Sequence, residues 1–155
     1  TTEKVARDAV KNGYFATRSH ATDPLLCAAG TESLNIVEEE GMAGKAAFIE
    51  KRIKSAFRKM AKEFELIGDI RGRGVLLGIE FVSDREKKTS ANDATRKIFD
   101  YCLNKGLIFQ IRGTRGLQNV VRLVPPMTTT KRELDRALSI LYDSIKSASR
   151  LKRRG

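Results

Sequence analysis

The chain has 155 residues, of which 41% are apolar and 32% charged. That is globular composition, enough for one real core, and it excludes a disordered chain. The formal charge is +11, but the last ten residues carry Lys146, Arg150, Lys152, Arg153 and Arg154 with no acid, and no aromatic-interleaved basic stripe accompanies the excess, so nucleic acid is disfavoured as a partner.

In chain order, Thr1 to Asn12 has the pattern of a helix end, with Val5, Ala6, Ala9 and Val10 on one face and Gly13 closing it. A hydroxyl-bearing loop, Ser19-His20-Ala21-Thr22, then meets Asp23-Pro24, an N-cap followed by a residue suited to the first helical position. The helix start turns its positive dipole end and its open amides toward the loop, which suits an anion; equally, Asp23 and Pro24 need do no more than begin a helix. That helix is expected to run to about Glu40 and to bury Leu26, Gly30, Leu34 and Val37, with Gly41 as its stop. A second helix follows, its core stripe being Ala46, Ile49, Ile53, Phe57, Met60 and Phe64.

From Leu66 the period changes to two. The turn-rich Arg71-Gly72-Arg73-Gly74 leads into Val75, Leu77, Ile79 and Phe81 on one strand face, which predicts a hairpin. Its glycine spacing only superficially resembles a dinucleotide fingerprint, because a strand follows it instead of a helix. After a charged loop, Ser83 to Asn92, a helix carries Ala94, Ile98 and Cys102 inward and ends at Gly106. Leu107 to Ile111 and Val120 to Val124 predict two further strands around a Gly- and Arg-rich loop, stopped by Pro125-Pro126. Thr130 and Glu133 form a capping box for a last helix that buries Leu134, Leu138, Leu141 and Ile145. Helices set beside a small, largely antiparallel sheet make an α+β fold. Cys27 and Cys102 are too few and too isolated for a disulfide framework or a zinc site and are expected to be at least partly buried thiols. No run of about 18 apolar residues and no secretory segment appears, which leads to the expectation of a cytoplasmic protein without a membrane span.

Arg122 interrupts the apolar run Val120-Val121-Arg122-Leu123-Val124, so strand alternation points it away from Val121 and Leu123, toward solvent or a ligand. A guanidinium fork on rigid strand is what bidentate carboxylate binding needs. The single histidine, His20, suits a packing or supporting role better than acid–base work.

Three separated blocks, S-H-A-T-D-P-L-L-C-A-A-G, L-I-G-D-I-R-G-R-G-V-L-L-G-I-E-F-V and V-V-R-L-V-P-P-M-T, resemble in that order the C-terminal part of class III pyridoxal-phosphate aminotransferases, and H-x-T-D-P resembles the dialkylglycine decarboxylase branch most. The resemblance implies the small C-terminal domain of a fold-type I pyridoxal 5′-phosphate enzyme: residues 1–19 a remnant of the large domain, 20–147 the small domain, 148–155 a basic tail. It also implies a homodimer in which Ser19 and His20 meet the cofactor phosphate across the interface and Arg122 holds the substrate carboxylate. The branch likeness adds an alkali metal ion near the Ala21 carbonyl and the Asp23 carboxylate. The substrates implied are an amino donor and a 2-oxo acid acceptor, with decarboxylation as a variant. No lysine of the chain stands in the family's Schiff-base context, so the chain is expected to be inactive alone. The alternative is a freestanding basic binding module of the same fold, possible nucleic-acid binding included.

Overall fold

The computed structural model describes residues 2–14, 19–20, 23–112 and 118–151. Of the features expected above, Ala21, Thr22, the loop centre at 113–117 and the tail at 152–155 lie outside the described residues. Two compact units divide the chain, Thr1–Glu40 and Gly41–Gly155.

The first unit contains two helices, α1 (Glu3–Lys11) and α2 (Pro24–Glu39). Thr2 caps α1 by accepting the Val5 N–H, and Gly13 leaves it at φ +73°, where a side chain would be strained. Asp23 caps α2, its Oδ1 accepting the Leu25 N–H at 2.9 Å, with Pro24 in the first turn as expected. Neither helix buries a residue. The stripe expected to be core is open instead: Leu26 is 53% exposed and Leu34 69%, and Cys27, expected to be at least partly buried, is exposed. Helical spacing correctly marked a helix, but two short helices offer too little surface to cover their own apolar faces.

In the second unit, α3 (Met42–Glu63) presents Ile49, Ile53, Phe57 and Met60 to the core at steps of three and four. The hairpin follows as β1 (Ile67–Arg73) and β2 (Leu76–Asp84), then a two-residue β3 (Thr89–Ser90) pairs with β2 inside the loop expected to be irregular. Helix α4 (Asn92–Asn104) buries Ile98 and Cys102, whose thiol burial pushes above its ordinary value. Strands β4 (Gln110–Arg112) and β5 (Val120–Leu123) precede α5 (Lys131–Leu151). All pairings are antiparallel and the main order is β1-β2-β5-β4. Among the described residues, five helices with this small sheet make the fold α+β.

One face of the sheet is core. Leu77, Ile79, Phe81, Val121 and Leu123 alternate onto it and pack with Ile53, Phe57, Ile98, Leu141 and Ile145 from the helices. The Thr130–Glu133 capping box forms reciprocally: Glu133 Oε2 accepts the Thr130 N–H at 2.8 Å, and Thr130 Oγ1 accepts the Glu133 N–H at 3.3 Å. Helix α5 continues past residue 147, with Ala148 in the core, so the expected tail begins inside this helix.

Strand β4 is shorter than the expected Leu107 to Ile111. Its register sets Gln110 against Arg122, which would bring Leu107 opposite Pro125, a residue with no N–H to give a ladder.

Two contacts without any periodic signature tie the unit together. Arg85 donates to four backbone carbonyls, those of Ala61, Phe64, Glu65 and Ile67, collecting the chain as it leaves α3. Glu50 accepts the Gly74 N–H at 2.6 Å and Lys54 donates to the Gly72 carbonyl at 2.7 Å, so α3 grips the hairpin turn. The Lys54 ammonium and then the Gly74 N–H hold the Glu50 carboxyl below its ordinary range.

Candidate functional site

Because Val121 and Leu123 face the core, Arg122 stands on the opposite face of β5, as alternation predicted. Strand register assembles its neighbours. Gln110 of β4 lies on one side and Gly78 of β2 on the other, and Arg71 of β1 is the next residue beyond Gly78. All four lie on the face of the sheet opposite Val121 and Leu123.

The two arginines of this row differ in how they are held. Arg71 donates to Asp69 Oδ2 at 2.8 Å and to Glu80 Oε2 at 2.6 Å, and its guanidinium holds the Asp69 carboxyl below the usual range. Arg122 is half-buried, and its Nε, fully shielded from water, has no hydrogen-bond partner among the described residues. A buried charged donor left unpaired is costly, on the order of 1–3 kcal/mol; Arg52 Nε is shielded and unpaired in the same way.

Arg122 also borders a cavity of about 710 Å³ at the end of β5, walled largely from the core side and α5 by Leu123, Leu134, Ala137, Leu138 and Leu141, with Gln110 and Ile108 at its edge. Ile108 is 77% exposed and Val124 53%, so the rim of the cavity beside Arg122 is apolar and open. Pro125-Pro126 ends β5 beside it, and the Thr129 N–H donates to the Pro126 carbonyl, fixing the turn into α5. This arrangement, a cation on rigid strand at the mouth of an apolar cleft, can orient a small molecule bearing a carboxylate or a similar oxyanion.

In the first unit, Ser19 and His20 form an exposed turn directly before α2. His20 adopts φ +64°, a conformation tolerated by few residues with side chains, and its carbonyl accepts the Asp23 N–H at 3.2 Å. Its Nδ1 lies 3.5 Å from Asp23 Oδ2, while Oδ1 of the same carboxylate caps the helix. The Ser19 hydroxyl and the His20 ring are therefore presented outward at a helix start, a placement compatible with a phosphate group. Asp23 already has two duties within the chain. Ala21, the other residue associated with a metal ion, lies outside the described residues, and no cluster of three His, Cys, Asp or Glu side chains suited to a metal occurs among those described.

Sequence reasoning missed the neighbours of Arg122, namely Gln110, Gly78 and the Arg71–Asp69–Glu80 group. Period-two counting from Val75 places Gly78 on the outward face, but the sequence puts Arg71 in a turn, and only the register joins either to Arg122.

Comparison with known proteins adds three findings. The family pattern Aminotransferase class-III matches residues 1–145. Among curated proteins, the chain is 35% identical over 127 residues to (R)-1-hydroxy-2-aminoethylphosphonate ammonia-lyase of Vibrio splendidus (strain 12B01), covering 82% of the chain and 26% of that protein. It is likewise 35% identical over 135 residues to alanine–glyoxylate aminotransferase 2 homolog 2, mitochondrial, of Arabidopsis thaliana, covering 87% and 28%. Among solved structures, a Bacillus anthracis aminotransferase superposes with TM-score 0.74 at 31% identity over 80% of the chain and 28% of its own. A phospholyase from Arthrobacter in complex with phosphoethanolamine gives TM-score 0.81 at 24% identity over 95% and 34%, a likeness of fold. The chain thus spans between about a quarter and a third of the length of these relatives.

Proposed function

Since this chain belongs to the class III aminotransferase family, whose members use pyridoxal 5′-phosphate, we propose that it is the ligand-positioning C-terminal portion of a transaminase in which Arg122 binds the substrate carboxylate. The observation that carries this reading is a guanidinium set on rigid strand, turned away from the core at Val121 and Leu123, at the edge of an apolar cavity. The cofactor, when bound, supplies the electron sink on which the amino substrate is activated. This chain's own contribution is to bind and orient. Arg122 fixes one end of an amino acid or 2-oxo acid, and Ile108 and Val124 give the neighbouring rim an apolar surface.

Ser19 and His20 belong to the same proposal as contacts to the cofactor phosphate, made across a homodimer interface. Support comes from the exposed hydroxyl and imidazole at the start of α2. Helices α1 and α2, which bury no residue, would pack on the larger remainder of the enzyme. The relatives' names include alanine, glyoxylate and an aminoethylphosphonate, small amines and acids in which an anionic group accompanies the reacting centre. A transaminase of such substrates is preferred here to a decarboxylase with an alkali ion at Ala21 and Asp23. The Asp23 carboxylate is accounted for by its cap and by His20.

Substrate discrimination tests the assignment. In the full-length enzyme, Arg122→Ala should cost about 1.5–3 kcal/mol in kcat/KM, one to two decades, for carboxylated amino donors, because a charge-assisted fork is lost. Simple amines should be nearly unaffected, and Arg122→Lys should recover only part of the loss. Equal losses for both substrate classes would make Arg122 a structural strand residue.

A further inference from the structure

Glycines in the hairpin strands have different reasons to be glycine. Gly72 sits at φ +118°, and a Cβ there would lie 2.1 Å from the Leu76 carbonyl oxygen; a Cβ on Gly68 would lie 2.8 Å from two Val82 methyls. Those two are dictated by the chain itself. Gly78 is not. Its φ is outside the positive range, and a Cβ would meet nothing nearer than Val120 Cγ1 at 3.6 Å and Arg71 Cγ at 3.9 Å, which is ordinary van der Waals contact. A strand interior is weakened by glycine, and where no turn or clash demands one it marks the close approach of something from outside.

Gly78 is the cross-strand partner of Arg122 and of Arg71 on either side. Arg71 is held by Asp69 and Glu80. The row therefore has, paired with Arg122, a position without a side chain, bordered by the Val120 and Arg71 side chains. We propose that Gly78 is a specificity-determining position of the Arg122 site. Its missing side chain leaves room for the carbon skeleton that carries the ligand's carboxylate, and a side chain there excludes that skeleton. The proposal rests on the reading of Arg122 as the carboxylate-binding residue.

Protection of Arg122 from phenylglyoxal, mapped by peptide mass spectrometry in the full-length protein with pyruvate as probe, tests it alongside thermal melting. In the parent, pyruvate slows labelling of Arg122. In Gly78→Val the melting temperature should be equal or higher, while the pyruvate concentration for half-protection rises by about ten-fold or more, with Gly78→Ala between the two. A folded Gly78→Val with parental half-protection overturns the proposal. So does a lowered melting temperature in both variants with half-protection unchanged, which would mean that another stretch of backbone covers Gly78. Should Gly78→Val fail to fold, Gly78→Ala decides: a rise of about three-fold supports the proposal and an unchanged value overturns it. If pyruvate does not protect Arg122 in the parent, the reading of Arg122 itself fails, and the proposal with it.

Discussion

Helices α2 and α3 are separated by Glu40 and Gly41 alone, and both carry apolar residues at helical spacing. Helix α3 buries Ile49, Ile53, Phe57 and Met60, whereas α2 leaves Leu26, Leu34 and Val37 exposed. The difference lies in what each helix has to pack on. Helix α3 finds the sheet and α5 within its own unit, and the resulting core carries that unit's stability. Helix α2 is held by its cap and by its own backbone ladder. Periodicity identifies a face; the partner decides whether the face is core.

Mutation should separate the two units most strongly. Phe57→Ala removes a fully buried ring and should destabilise the Gly41–Gly155 unit by about 3–5 kcal/mol, whereas Leu34→Ala in the 155-residue chain should change stability by no more than about 0.5 kcal/mol. Urea unfolding of both variants checks this. Comparable losses would mean that α2 is packed after all.

Thiol chemistry sharpens the same contrast. Cys27 is exposed on α2, while Cys102 is 0% exposed with its thiol pushed up by burial. Alkylation by iodoacetamide should therefore be slower at Cys102 by about two decades or more, a difference that denaturant abolishes. Similar native rates at the two cysteines would break the comparison.

A smaller effect follows from the grip of α3 on the hairpin. Glu50 has its folded pKa depressed by Lys54 and the Gly74 N–H, so its contribution is present above the unfolded carboxyl value, about 4.3, and is lost as pH falls through the lower folded value. Thermal melting against pH should show the second unit weakening below about pH 4.5, and Glu50→Gln should flatten part of that fall. An unchanged pH profile would place the acid sensitivity elsewhere, Asp69 beside Arg71, Glu133 beside Thr130 and Asp135 beside Arg52 being the other depressed carboxyls to examine.

Much of the second unit was legible in the sequence, for reasons that are local. The α3 stripe, the Leu77-Ile79-Phe81 face, the Thr130–Glu133 box and the α5 stripe all depend on spacing within one element. What escaped depends on contacts between distant residues. The four carbonyls collected by Arg85 and the turn held by Glu50 and Lys54 leave no periodic trace. The shortening of β4 needed its register against Pro125. At the site, alternation alone turned Arg122 outward, but its position between Gln110 and Gly78 required the pairing of three strands. The interest of Ser19 and His20 came from resemblance more than from local chemistry, since an exposed turn before a helix is common.

On the proposed reading, this chain supplies contacts that bind and orient, while the lysine that carries the cofactor covalently belongs to another part of the enzyme. Borohydride reduction of the 155-residue chain with pyridoxal phosphate, followed by peptide mapping, tests this most directly. Scattered, substoichiometric labelling over several exposed lysines is the expected result. Stoichiometric attachment to one lysine of this chain would contradict the claim and make the chain a covalent centre in its own right.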